Sequence, residues 1–330
     1  MCNKHSFSDV LKIPEFLYLC DRNADRVMLE GLGIRSPLLL TQSGIFINKS
    51  SFFQDGSIFV DFYRDTFIDI ASNIIAPPSF GLDWDIIKLN IKNNSPVIIL
   101  VDVYFMPYKK IHYQTNHAAH CVILNDISDD GYLVVDWYEP DYYTGVIDED
   151  TLNLARQSIN NEDGSSVFSG YPINSAYKTI NIKSIKSFNY TIEACVHINF
   201  KNMLEKLKNG HTVEFFNNIN DNIPIWIQEY DELHYFNAVK SFFFFELELN
   251  IFIRYLEEIQ ITTLKTKINH LIIKNNTMQL KTAVIILKNK FHRAIRKRVV
   301  LDINSWNNFK TILFSYYNQI LKLIGEESKL

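Results

Sequence analysis

"YQTNHAAHCVILNDISDDGYLVVDW" spans residues 113–137. Two runs within it, HCVILND (120–126) and GYLVVDW (131–137), are short, apolar and β-branched, as strands are. The intervening ISDDG carries the Asp-Asp-Gly chemistry of a tight turn, so the stretch reads as a β-hairpin. Side chains alternate along a strand, so His120 shares a face with Val122 and Leu124. Asp136 ends the second strand. In a tight hairpin the start of one strand lies beside the end of the next, which makes His120 and Asp136 neighbours. A carboxylate beside an imidazole fixes its tautomer, as a general base requires. The plainer reading is a satisfied core histidine and a strand-end turn residue. His117 falls in the loop before the strand and is expected at the entrance of any cleft there.

A base needs a nucleophile. EFLYLCDRNADRVMLEGLGI (15–34) places Cys20, Ala24, Val27 and Met28 at helical spacing, with Gly33 as a C-terminal stop. Cys20 then stands at or near a helix start. Unpaired N–H groups and the helix dipole favour thiolate over thiol there, and the Cys20 N–H could itself donate to an oxyanion. The alternative is a small buried thiol, the commoner fate of cysteine. Cys2 lies near the start of the chain. Cys121 sits within a strand and should point away from His120. Cys195 lies on the apolar stripe of a helix. A nucleophile early in the chain and a His–Asp pair on a later hairpin is the order of papain-like enzymes, and it fits other thiol acyl-transfer folds too.

The chain has 330 residues, enough for two domains. With 21% charged residues and a net charge of -4, nothing favours nucleic acid or an anionic membrane as partner. The four cysteines show no CxxC spacing, which argues against a zinc site or a disulfide framework. The N-terminus has no apolar signal core and no run is long enough to span a bilayer. A soluble, cytoplasmic protein is expected. Strand-like runs occur at PVIILVDVYFM (96–106) and YKTINI (177–182), and NNEDGSS (160–166) reads as an exposed loop. After about 188 the texture is helical, with Gly210 ending TIEACVHINFKNMLEKLKNG. The expected division is 1–187 and 188–330. The run Phe242–Phe245 is interrupted by Glu246 and Glu248, which fits a helix buried on several sides better than a membrane segment. The aromatic density of this half, including Tyr255, Trp306, Tyr316 and Tyr317, suggests a cleft cover, a homodimer surface or simply a core.

PVIILVDVYFMPYKKIHYQTNHAAHCVILNDISDDGYLVVDW (96–137) resembles the core of the butirosin-H N-terminal family. There a proline-led strand runs into an Asp, an aromatic pair and Pro-Tyr, followed by H-x-x-H and a strand–turn–strand ending in Asp. YLCDRNADRVMLEGLGI (18–34) and VFSGYPI (167–173) add to the likeness, which covers about 15–175. The resemblance implies an α+β papain-like cysteine-protease fold with an antiparallel sheet, followed by an α-helical C-terminal region. It implies an acyltransferase or amide synthetase of nonribosomal-peptide-type biosynthesis, with an acyl group passing from a carrier-protein thioester to an amine. Carried onto this chain, Cys20 is the nucleophile, His120 the base and Asp136 its orienter. His117, Tyr104 and Tyr108 are expected on the substrate side. The implied partners are an acyl or peptidyl carrier protein and a small amine acceptor. No metal and no cofactor of the protein's own is expected, since the substrate would ride on the carrier's phosphopantetheine. Papain-like proteases usually carry a Gln about six residues before the cysteine; here Pro14 and Glu15 stand in that region. A thioester needs less oxyanion help than a peptide does. A hydrolase with the same triad and a non-catalytic binding module are the alternatives.

Overall fold

The structure, a computed structural model, describes residues 20–34, 46–49, 59–61, 75–76, 78–138, 141–164, 166, 168–181, 192–262 and 268–327. In chain order the elements are α1 (Cys20–Gly31), β1 (Phe46–Lys49), β2 (Phe59–Asp61), α2 (Trp84–Lys92), β3 (Val97–Asp102), a 3-10 turn (Val103–Phe105), β4 (Ala119–Ser128), β5 (Gly131–Asp136), β6 (Tyr143–Ile147), α3 (Glu149–Gln157), β7 (Tyr177–Thr179), α4 (Ile192–Leu207), α5 (Gly210–Asp221), the single turn α6 (Ile225–Gln228), α7 (Glu232–Thr262), α8 (Ile268–Lys297) and α9 (Ile303–Glu327). They divide into two compact units.

The first unit is built on a five-stranded antiparallel sheet in the order β6-β5-β4-β3-β7. Its inner strand β3, VIILVD, is apolar at every position but the last, because helices cover the sheet on both sides. On one face Val97, Ile99, Val101, Val122, Leu124 and Val134 pack with Ile87 and Ile91 of α2 and Leu152 and Ala155 of α3. On the other, α1 packs against β4. The run 96–106 does not continue as a strand to Met106. It stops at Asp102, whose side chain accepts from the Tyr104 N–H and turns the chain into the 3-10 turn.

The register of the hairpin is not the one its turn sets. Ser128 is opposite Gly131 and Asp126 opposite Leu133, but a bulge between Leu124 and Asp126 places Leu124 opposite Val134 and Ile123 opposite Val135. Only with that shift do His120 and Asp136 fall on one face. Gly131 follows the turn at φ 141°, backbone that only glycine adopts easily. A Cβ there would meet the Ile147 carbonyl oxygen and would lie 2.8 Å from the Asp148 Cα.

The second unit joins β1 and β2 to the helices that follow residue 190. The expected division kept residues 46–49 and 59–61 with the first part. They group with the helices because β1 contacts α4 and α5 and β2 contacts α7. Gly210 does not end α4. It opens α5, because Asn209 caps that helix by accepting the Thr212 N–H. Phe242, Phe245, Tyr255, Trp306, Tyr316 and Tyr317 all belong to one buried cluster of this unit. For these six side chains the aromatic density is core packing, while Phe243 and Phe244 of the same run are half-buried. Among the described residues no helix is long and apolar enough to cross a membrane.

Gly131→Ala should destabilise the protein by about 2 kcal/mol or more, from backbone strain and the close approach to β6. Urea unfolding followed by circular dichroism measures this. An unchanged midpoint would show that β5 and β6 do not meet as described.

Candidate active site

Helix α1 carries the thiol. Cys20 is its first residue, and residues 22–29 behind it are all buried. Four of those are charged or amide side chains in CDRNADRVMLEG that pure periodicity assigns to the surface, and two of them, Asn23 and Asp25, have partners distant in the sequence. The Asn23 amide donates to the Trp137 carbonyl at 2.9 Å, just past the end of β5. Arg26 holds the same Asn23 through its carbonyl oxygen at 3.1 Å and pairs with Glu30. Asp25 takes Lys178 of β7 at 2.8 Å. These contacts tie α1 to both sides of the sheet and fix where its N-terminus points.

β4 carries the imidazole and β5 the carboxylate beside it. His120 is buried, and its Nε2 lies 3.1 and 3.0 Å from the two Asp136 oxygens. Cys20 lies within side-chain hydrogen-bonding reach of the same imidazole. The edge of Tyr138 meets the imidazole at 5.2 Å. Asp136 is 2% exposed and also accepts from the Tyr108 hydroxyl at 2.8 Å and the Lys109 ammonium at 2.9 Å. Burial alone would raise its pKa. The charges of His120 and Lys109 outweigh that and hold it well below the usual carboxylate range.

The thiol and imidazole shift in complementary directions. Hydrogen bonding from Cys121 first, then from His120, lowers the Cys20 pKa to about 5 against the opposing effect of burial. Burial, the largest single influence, pulls His120 down, and the Asp136 charge together with hydrogen bonding to Asp136 and Cys20 outweighs it, so its net shift is upward. Between the two thiols Cys121 keeps the proton, because it donates to Cys20 and is buried. Cys121 was expected to point away from the site. β4 alternates as it should, but its pairing with β5 begins only at Ile123, while β3 already flanks it from Ala119. At such a one-sided stretch a helix end can meet side chains from both faces. Cys195 lies in α4 with its side chain outside the described residues, as do Cys2, Pro14 and Glu15 entirely.

His117 belongs to a second cluster. Its Nδ1 is 2.7 Å from Asp102, its ring stacks on Tyr104 at 4.4 Å, and its N–H donates to Asp163. Asp102 is fully buried and also accepts from the Tyr104 and Ala118 N–H groups and the Ser158 hydroxyl. The structure therefore brings Cys20, His120, Asp136 and Tyr108 together and places His117 with Tyr104 on Asp102. Lys109, Asn23 and Asp102 went unread. Asp102 had a signal in the sequence, since it ends an apolar run as Asp136 does. Lys109 had none, because Pro-Tyr-Lys-Lys reads as a solvated turn.

No protein-family model matches the chain. No curated protein matches it. Among solved structures the chain is similar to a protein of Bacillus anthracis described as C39-like peptidase, itself an assignment by likeness. The identity is 15% and the TM-score 0.33, over 53% of this chain and 95% of that one. A likeness this slight carries no argument about fold or activity.

Cys20 is a thiol below about pH 5 and a thiolate above it. Its alkylation by iodoacetamide should therefore rise through about pH 5, whereas an unperturbed thiol rises near pH 8.5. His120→Ala removes one of the groups that favour the thiolate and should move the rise upward. Peptide mass spectrometry across pH measures both. A single rise near pH 8.5 in the unmodified protein would rule out the thiolate.

Proposed function

We propose that the chain is a papain-like cysteine acyltransferase that forms amides from thioesters without ATP. The observation that carries the reading is the Cys20–His120–Asp136 constellation: a partly exposed thiol at a helix N-terminus, an imidazole on it, and a buried carboxylate 3.0 Å from the imidazole. The motif likeness to the butirosin-H N-terminal family supports the finer assignment to thiotemplated biosynthesis.

Two half-reactions follow. The Cys20 sulfur, its proton on His120, attacks a thioester carbonyl. The tetrahedral intermediate expels the donor thiol, which takes the proton from His120, and acyl-Cys20 remains. An amine then attacks that thioester, His120 accepts the amine's proton and returns it to the Cys20 sulfur as the amide leaves. The first exchange is nearly isoenergetic and the second is downhill. A Cys20 thiolate of low basicity is a good leaving group in the second step. Asp136 orients the imidazole in both. The donor is proposed to be an acyl or peptidyl carrier protein with its phosphopantetheine arm, and the acceptor a small amine. His117 and Tyr104 are proposed to line the substrate side.

The same three residues would serve a hydrolase if water, not an amine, reached acyl-Cys20. Incubation with acyl thioesters and amines, read by intact mass and product analysis, separates the two. The expected result is an acyl adduct on Cys20 that an amine converts to amide. Cys20→Ala should abolish adduct and turnover. Free acid as the sole product would make the protein a thioesterase, and an adduct surviving Cys20→Ala would remove the mechanism. His120→Ala should lower turnover by about 10²-fold or more, and His117→Ala by far less. Equal losses would mean that the base is not His120.

A further inference from the structure

We propose that Lys109 is a positioning residue of the site: its ammonium is the standing counter-ion of Asp136, which lets His120 give up its proton without leaving a buried carboxylate uncompensated. The inference rests on the assignment of Cys20, His120 and Asp136, and is independent of what donates or accepts the acyl group.

Lys109 is 4% exposed, an unusual place for an ammonium. Its Nζ lies 2.9 Å from Asp136, whose side chain is 1% exposed, and 3.4 Å from Asp141, whose side chain is 17% exposed. Hydrogen bonding alone does not explain it, because Tyr108 already donates to the same Asp136 oxygen at 2.8 Å. What Lys109 adds is charge. A buried carboxylate facing only an imidazole drives it toward imidazolium. A base that cycles its proton must also spend part of each turnover neutral. In that state Asp136 would be a buried anion with no cation beside it, a costly arrangement. Lys109 supplies the cation throughout, and opposes over-stabilisation of the imidazolium.

The neighbouring groups are defined. His120 meets Asp136, Cys20 and the Tyr138 edge, with Lys109 and His112 within electrostatic reach. Asp136 meets Tyr108, Lys109 and His120. Lys109 meets Asp136, Asp141 and the Tyr108 ring at 5.4 Å. Cys121 and Asp21 act on Cys20. Taking the positive charge from Lys109 must favour imidazolium. Taking the negative charge from Asp141 must disfavour it.

The test uses the full chain and iodoacetamide, and needs no acyl substrate. Alkylation of Cys20 between pH 4 and 10 has a lower step, where Cys20 ionises against imidazolium, and an upper step, where the imidazolium loses its proton. Lys109→Met should move the upper step to higher pH by about one unit. Lys109→Arg, which keeps the charge, should leave it in place. Asp141→Asn should move it to lower pH. Opposite shifts are not expected from packing damage. An unmoved upper step in Lys109→Met, or a shift of the same sign in Asp141→Asn, overturns the proposal. If Lys109→Met does not fold, Asp141→Asn decides alone, and an unmoved or raised step overturns it. Loss of the lower step in the unmodified protein would instead overturn the Cys20–His120 assignment.

Discussion

A carboxylate buried as deeply as Asp136 must collect donors, and the donors it collects organise the first unit. They come from separate segments: Tyr108 and Lys109 from the loop after the 3-10 turn, and His120 from the start of β4. Each is held to the end of β5 through one residue. An isolated buried carboxylate would be protonated or would destabilise the fold by several kcal/mol. The loop 106–118 is therefore anchored to the sheet by electrostatics as well as by backbone bonds. Two of its tethers, from Tyr108 and Lys109, run to the carboxylate beside the imidazole. Fold and chemistry share one anion.

The sequence made this hairpin legible because its signals are local. Period-two alternation, an Asp-Asp-Gly turn and two short apolar runs lie within 25 residues, but the bulge between Leu124 and Asp126, without which His120 and Asp136 would face opposite sides of the sheet, left no sign in them. The helix start at Cys20 was legible because its signals, too, are local. What else escaped depends on distant pairing. Asp25 meets Lys178 across 153 positions, and Asn23 meets the Trp137 carbonyl across 114. In a hydropathy pattern both residues belong on the surface; in the fold they are buried because partners await them. Lys109 is the same case, a charged residue in a turn-like run that closes on a carboxylate 27 positions later.

The helical unit shows the opposite limit. Its aromatic residues were easy to see and hard to interpret. A long helix such as α7, with buried residues on several sides, needs large side chains merely to fill the space between neighbours. Phe242 packs on Phe291 and Phe309, and Phe216 stacks on Tyr317, inside one cluster. Composition alone cannot separate a crowded core from a sticky surface, because both select the same residue types.

The two histidines of H-x-x-H show how one sequence pattern yields two environments. Each imidazole bonds an aspartate that ends an apolar strand. Asp102 shares its charge among two backbone N–H groups, the Ser158 hydroxyl and His117. Such a carboxylate is stabilised largely by neutral dipoles, at a position where it also turns the chain, and His117 is one donor among four. Asp136 accepts from Lys109, Tyr108 and His120, so its stabilisation comes mainly from charge. A change in the protonation of His120 is felt strongly by Asp136 and by the Cys20 thiol. Among the described residues His117 has no thiol partner of that kind, and Asp102 has three other donors to hold it in place. Both histidines are oriented by a carboxylate, but only His120 is also linked to the Cys20 thiol among the described residues, and that connection is what the proposed role of general base requires.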